Sequence, residues 1–246
     1  MTINLLLWCD EKITYLKDHG IQFESGVAVL PKSCIYEKIP VMVSTYKYRN
    51  DIPDELKEDS LLTYFMPESS LWSRLKKIDE EISELKKYGG VSGFDLSPSI
   101  GMLRPRQKLS ILINSLYNCY LAVQGIKVLP NDRLGDLGTM SMSVSVPQNS
   151  NFISSRLGCI RYGFKAYGDY QLGLFLENHK PNILFVYGGM KSGEGKNLID
   201  RYGFKIITYP DRRNRVRNGS KAYIIYRKDG KVRKIPLSNW LKGGAA

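Results

Sequence analysis

The chain has 246 residues, 43% hydrophobic and 24% charged, which is enough for one large domain or a domain with a small appendage. No run of eighteen uncharged apolar residues occurs, so no transmembrane helix is expected. Met1 to Trp8 is apolar without a basic flank and meets Asp10 and Glu11 almost at once, so no signal peptide is expected.

Residues 1 to 60 read as irregular. Asn4 to Trp8 suits a short strand or a helix start. Val27–Leu30 and Val41–Val43 are short β-like runs beside Pro31 and Pro40, and Pro53–Glu58 reads as a surface turn. The clearest helix spans about Ser70 to Tyr88. Leu71, Leu75, Ile78, Ile82 and Leu85 recur at three- and four-residue spacing, and Gly89-Gly90 follows. Val91–Leu96 is a strand candidate ending near Asp95. Gln107–Val123 reads as a helix, Ile126–Leu129 as a strand, and Leu172–Asn178 as a helix after a turn at Gly168-Asp169. Asn182–Tyr187 is the strongest strand, followed by a short helix over Asn197–Tyr202 and a strand over Phe204–Thr208. Ala222–Arg227 and Lys231–Ile235 flank Lys228-Asp229-Gly230, a hairpin signal.

Strands alternating with helices imply an α/β fold with a mostly parallel βαβ core. The expected organisation is an N-terminal segment with the amphipathic helix (1–89), the α/β core (90–211), and a basic hairpin and tail (212–246). The pentapeptide Arg161 to Lys165 recurs as Arg201 to Lys205, but the flanking sequences diverge, so no repeat fold is inferred.

The net charge is +12, and its placement is uneven. From Lys205 onward there are twelve Lys or Arg against two Asp, which leaves +2 for all that precedes. The basic block comprises Arg212, Arg213, Arg215, Arg217, Lys221, Arg227, Lys228, Lys231, Arg233 and Lys234, interleaved with Tyr209, Tyr223, Tyr226 and Trp240. Such a field attracts polyanions and releases their counterions, and the aromatics can stack on unpaired bases. The competing reading is a solvated basic hairpin that only aids solubility. The nucleic-acid reading requires these charges to form one continuous face. No amphipathic basic helix is visible, so no membrane partner is expected.

Three patterns could carry chemistry. Asp95, Asp132 and Asp136 fall at or just after strand ends, where the carboxyl rim of a parallel sheet binds ligands. Three carboxylates there could hold Mg²⁺ and activate water against a phosphodiester, with Arg104, Arg106 or Arg133 stabilising developing charge. The plainer alternative is that they cap turns. The loop Gly188 to Lys196 follows the strongest strand, and its Gly189, Lys191, Ser192, Gly193, Gly195 and Lys196 could cradle phosphate. It is not a P-loop, because Met190 and Asn197 stand where glycine and Ser or Thr are required; a surface loop is the alternative. Cys159 would need His179 as base to act as a nucleophile, and a buried structural thiol is the simpler reading. The four cysteines (9, 34, 119 and 159) form no Cys-x-x-Cys pair and read as reduced thiols. The two histidines, His19 and His179, lie too far apart in sequence for a short-spacing zinc motif.

Gly93-Phe-Asp-Leu-Ser97, Gln124 to Asn131 with Arg133 and Gly135-Asp136, Leu157 to Ile160, Gly173-Leu174, and Pro181 with Ile183 to Gly188 together resemble the domain of unknown function 4417 family. The likeness runs from about Gly90 to Asp211. The family pattern has an aromatic where Leu134 stands and Phe where Leu96 stands. The resemblance implies a cytoplasmic protein encoded by a phage, prophage or plasmid, and it carries over no catalytic residue. The leading expectation is an accessory protein of a mobile element that contacts DNA or RNA through the basic C-terminal region. The alternatives are a metal-dependent, nuclease-like phosphoryl-transfer enzyme built on the aspartates, with Mg²⁺ or Mn²⁺ as its metal, or a protein that binds and blocks an acidic host factor. The sequence sets no oligomeric state.

Overall fold

The computed structural model describes residues 4–99, 101–131, 133–155, 173–174, 176–190 and 192–243. The chain forms two compact units, Met1–Pro147 and Gln148–Ala246. The break therefore falls at Pro147, not at the 89/90 and 211/212 boundaries read from composition. Strand pairing explains the difference: short strands before residue 89 join the first sheet, and the basic hairpin extends the second.

In the first unit, Asn4 caps helix α1 (Leu5–Asp18) by accepting from the Leu7 amide at 3.3 Å. The strands β1 (Phe23–Glu24) and β2 (Val27–Ala28) pair through Ser25 and Gly26, both at positive φ, as a tight two-residue turn demands. A four-stranded parallel sheet follows in the order β3 (Met42–Thr45), β4 (Ser60–Thr63), β5 (Gly90–Ser92), β6 (Val128–Leu129). The β-like run Val41–Val43 thus belongs to β3, whereas β4 starts at Ser60, where no strand was expected. All residues of β4 and β5 are buried; strands covered on both faces lack the alternation that a sequence reading relies on.

The predicted helix over 70–88 is two helices, α2 (Glu68–Lys76) and α3 (Ile78–Leu85), parted at Lys77, whose φ of −111° and ψ of 13° leave the helical well. The apolar stripe survives the break, with Leu71, Leu75, Ile78 and Leu85 all buried, and Arg74 pairs with Glu81 across it. Helix α4 (Arg104–Val123) opens with Pro105 in its first turn and is buried from Ile113 through Ala122. It packs against α1 and β6.

In the second unit, β7 (Phe152–Ser155), β8 (Ile183–Tyr187) and β9 (Lys205–Tyr209) run parallel. Antiparallel β10 (Tyr223–Lys228) and β11 (Lys231–Pro236) complete a sheet of order β7-β8-β9-β10-β11. Helix α5 (Ser192–Tyr202) joins β8 to β9, α6 (Arg212–Asn218) joins β9 to β10, and α7 (Leu237–Gly243) follows β11. Asp229 and Gly230 both have positive φ, the type I′ geometry expected of Asp-Gly. The α/β class holds in both units, and parallel pairing runs through β3–β6 in the first and β7–β9 in the second, where the hairpin adds two antiparallel pairs. No helix among the described residues is long and apolar enough to cross a membrane.

Candidate functional site

The carboxyl ends of β5 and β6 bring Asp95, Asn131 and Arg133 together. Arg133 grips Asp95 in two-pronged fashion, Nε to Oδ1 at 2.7 Å and Nη2 to Oδ2 at 3.1 Å, while Asn131 Nδ2 donates to Oδ1 at 2.7 Å. The Asp95 side chain is 7% exposed. Burial pushes its carboxyl above the ordinary range, and Arg133 and Asn131 pull it back down. Helix α4 holds the segment from behind. Asn118 Oδ1 accepts from the Phe94 amide at 2.7 Å, and Asn114 exchanges two bonds with the Leu96 backbone at 2.9 and 3.0 Å. These two asparagines escaped the sequence reading. Their signal is a pair of amides at i and i+4 inside an apolar helix, where unpaired polar groups are costly.

Asp136 does a different job. It caps the 3-10 helix Leu137–Ser145 by accepting from the Gly138 amide at 3.0 Å. The buried Gln107 accepts from the Asp136 amide at 2.8 Å and donates to its carboxylate at 3.4 Å, and Arg104 lies 3.6 Å from it. The carboxylates of Asp95 and Asp136 thus serve as an internal counter-ion and a cap. Asp132, the third member of the expected magnesium cluster, lies outside the described residues. Among the described residues no group of three His, Cys, Asp or Glu side chains is placed to hold a metal ion.

The loop after β8 is built inward. The Gly188 amide donates to Tyr209 O at 2.9 Å, and the Met190 amide donates to the Tyr223 hydroxyl at 3.3 Å. Both amides are thus taken up by partners within the unit. A Cβ on Gly195 would come 2.6 Å from Ile225 Cδ1, so its small size serves the packing of α5 on the sheet. Gly189 and Gly193 have open space around them, and Lys196 is exposed. Helix α5 starts at Ser192, five residues earlier than expected, which places Ser192, Gly193, Gly195 and Lys196 in the helix instead of in a surface loop. Lys191 lies outside the described residues.

The start of the segment expected to be a basic hairpin and tail, where no basic helix was visible in the sequence, forms the helix α6. Asp211 caps it by accepting from the Asn214 amide at 2.8 Å, and Gly219 ends it at φ 60°. Arg212, Arg213 and Arg217 are exposed and Arg215 is half-buried. This helix sits at the carboxyl end of β9. The hairpin turn lies at the opposite end of β10, five residue steps or about 17 Å away. The basic block therefore forms two clusters and not one continuous face.

The hairpin charges divide again between the two faces of the sheet. Side chains alternate along a strand and paired residues share a face. One face carries Ile225, Arg227 and Lys234. There Arg227 pairs with Asp200 of α5, and Lys234 Nζ stands 3.7 Å from the Tyr223 ring centroid. The other carries Tyr226, Lys228, Lys231 and Arg233, with Lys205 on β9 beside Tyr226. Arg233 reaches Asp229 at 3.4 Å. Trp240 of α7 lies edge-on to Tyr226 at 4.8 Å between centroids, with Lys205 Nζ 5.3 Å from its ring centroid. Arg213, Arg217, Lys221, Lys228 and Lys231 are exposed and have no acidic partner among the described residues.

Cys9, Cys34 and Cys119 are free thiols. Burial, with Asp10 adding to it, pushes Cys9 up to about 11, and burial pushes Cys119 higher still. Since the thiolate is the reactive form, iodoacetamide at pH 8 will label the half-buried Cys34 well before Cys9 or Cys119. Peptide mass mapping of the native protein checks this, and equal labelling of the three would contradict it. His179 is 2% exposed, and Cys159 lies outside the described residues.

No curated protein and no solved structure matches the chain. A family model does, over residues 19–209, so the match reaches back through the first unit and ends at the last residue of β9. The basic hairpin, and α6 before it, lie beyond it. By that match the chain belongs to the domain of unknown function 4417 family.

Proposed function

We propose that this protein binds nucleic acid through the basic segment that follows the family domain, α6 and the hairpin β10–β11. The observation that carries the reading is that half of this charge, five of its ten bases, faces solvent without a carboxylate partner among the described residues. A polyanion that covers them releases counterions, which makes binding favourable and strongly salt-dependent. The charge does not form the single continuous face that the sequence reading required, so the proposal rests instead on two solvent-facing clusters acting together, which a strand of nucleic acid reaches across the roughly 17 Å length of β10. The cytoplasmic, mobile-element setting implied by the family resemblance belongs to the same reading.

The test is a variant with Arg213, Arg217, Lys221, Lys228 and Lys231 all changed to Gln. The expected result is a loss of at least 100-fold in affinity for a mixed-sequence oligonucleotide at 50 mM salt. The slope of log K against log salt should fall by several units, at ~0.7 to 0.9 for each phosphate that is no longer neutralised. An unchanged affinity and slope would remove the reading. Point changes are preferable to truncation after Tyr209, which would strip β10 from β9 and expose the buried Ile206 and Ile207.

A further inference from the structure

We infer that the hairpin face bearing Lys205, Tyr226, Lys228, Lys231, Arg233 and Trp240 is a site for single-stranded nucleic acid, with unpaired bases stacking on the Trp240–Tyr226 pair. The inference rests on the nucleic-acid reading above and specifies the form of the ligand.

Three observations lead there. The first is the register. Tyr226 pairs with Arg233 and Lys228 with Lys231, so these four side chains form two adjacent rows on one face, and Lys205 extends the first row onto β9. The second is the aromatic pair. Trp240 and Tyr226 are both only half-buried, and they sit within this cationic rim at 4.8 Å from each other. A base stacked on an aromatic ring gains affinity regardless of sequence, and cations around it hold the adjoining phosphates.

The third observation argues against a duplex. A bare two-stranded ribbon can enter the major groove, which is about 12 Å wide. This ribbon is not bare. Helix α5 packs on one face, through Gly195 against Ile225 and Asp200 against Arg227. Helix α7 packs on the other, through Trp240 against Tyr226. With helices on both faces the assembly is far thicker than the groove, since each packed layer adds about 10 Å. Only the turn at Asp229-Gly230 could enter. A duplex is left with phosphate contacts alone, and its stacked bases are closed to Trp240. An unpaired strand can use both the rim and the rings.

The experiment uses the full chain and fluorescence anisotropy with a labelled 12-nucleotide single strand and the 12-base-pair duplex of the same sequence at 50 mM salt. The expected result is single-strand binding at least tenfold tighter than duplex binding. Trp240 emission should be quenched on saturation, and the quench should be absent in Trp240→Phe. The triple variant Lys228→Glu, Lys231→Glu, Arg233→Glu alters only exposed side chains and should lose at least tenfold in single-strand affinity. Trp240→Leu should lose at least fivefold, provided its circular dichroism matches the parent. Duplex binding equal to or tighter than single-strand binding would overturn this inference while leaving the nucleic-acid reading intact. So would an unchanged affinity in the triple variant, which would place the contact on α6. Binding of neither ligand would end both.

Discussion

Replacing Arg133 with methionine will destabilise the Met1–Pro147 unit by about 3–5 kcal/mol, the cost of leaving a buried charge without its partner. Arg133 and Asp95 are 16% and 7% exposed in their side chains and share two hydrogen bonds. Methionine fills the space but offers no cation. Asp95 already has its carboxyl pushed up by burial, and without Arg133 it rises further. A carboxyl whose folded value stands above its unfolded value of about 3.9 loses stability as pH rises between the two. The deficit of the variant will therefore be smallest in acid and full at neutral pH. Urea unfolding followed by tryptophan emission at pH 5 and pH 7 measures both quantities, with Trp8 and Trp72 reporting on this unit. Adding Asp95→Asn to the variant removes the stranded charge and should recover part of the loss. A single-variant cost below about 1 kcal/mol would show that the pair adds nothing to the fold.

Gly93→Ala is the second large effect, about 2–4 kcal/mol, and it arises from space. A Cβ there would stand 2.0 Å from Asn131 Oδ1 and 2.8 Å from the Asn131 amide nitrogen. The Asn131 side chain could rotate away only by giving up its 2.7 Å bond to Asp95. The amide cannot move without disturbing the Gly93 N–H bond to Leu129 O that ties β5 to β6. Both changes act on one network, so Gly93→Ala and Arg133→Met should combine non-additively. Thermal unfolding of the two singles and the double decides it. Strict additivity would mean that Asn131 does not link the glycine to the ion pair.

Much of this architecture was legible in the sequence because the relevant forces are local. The spacing of Leu71, Leu75, Ile78 and Leu85 marks a buried helical stripe whether or not Lys77 interrupts it. Asp229-Gly230 requires two positive φ values, and few other dipeptides accept them. Strand β8 stands out as an uninterrupted apolar run. The strands β4 and β7 did not stand out, because four residues carry too little periodicity and their stability comes from partners far along the chain. The roles of Asp95 and Asp136 were equally out of reach. A carboxylate at a strand end looks the same in one dimension whether it awaits a metal or is held by Arg133.

Composition and local pattern determined the α/β class, the basic hairpin and the concentration of charge after Lys205, since each follows from residue type and short-range spacing. Tertiary structure alone decided that the charge forms two clusters. The direction of β10 relative to β9 sets α6 at one end and the turn at the other, and strand alternation divides the hairpin bases between two faces. It also decided that Arg227 meets Asp200 while Lys228 and Lys231 remain open to solvent. The number of charges is a property of the chain. Which of them a polyanion can reach depends on pairing geometry, and pairing is settled only when distant strands come into register.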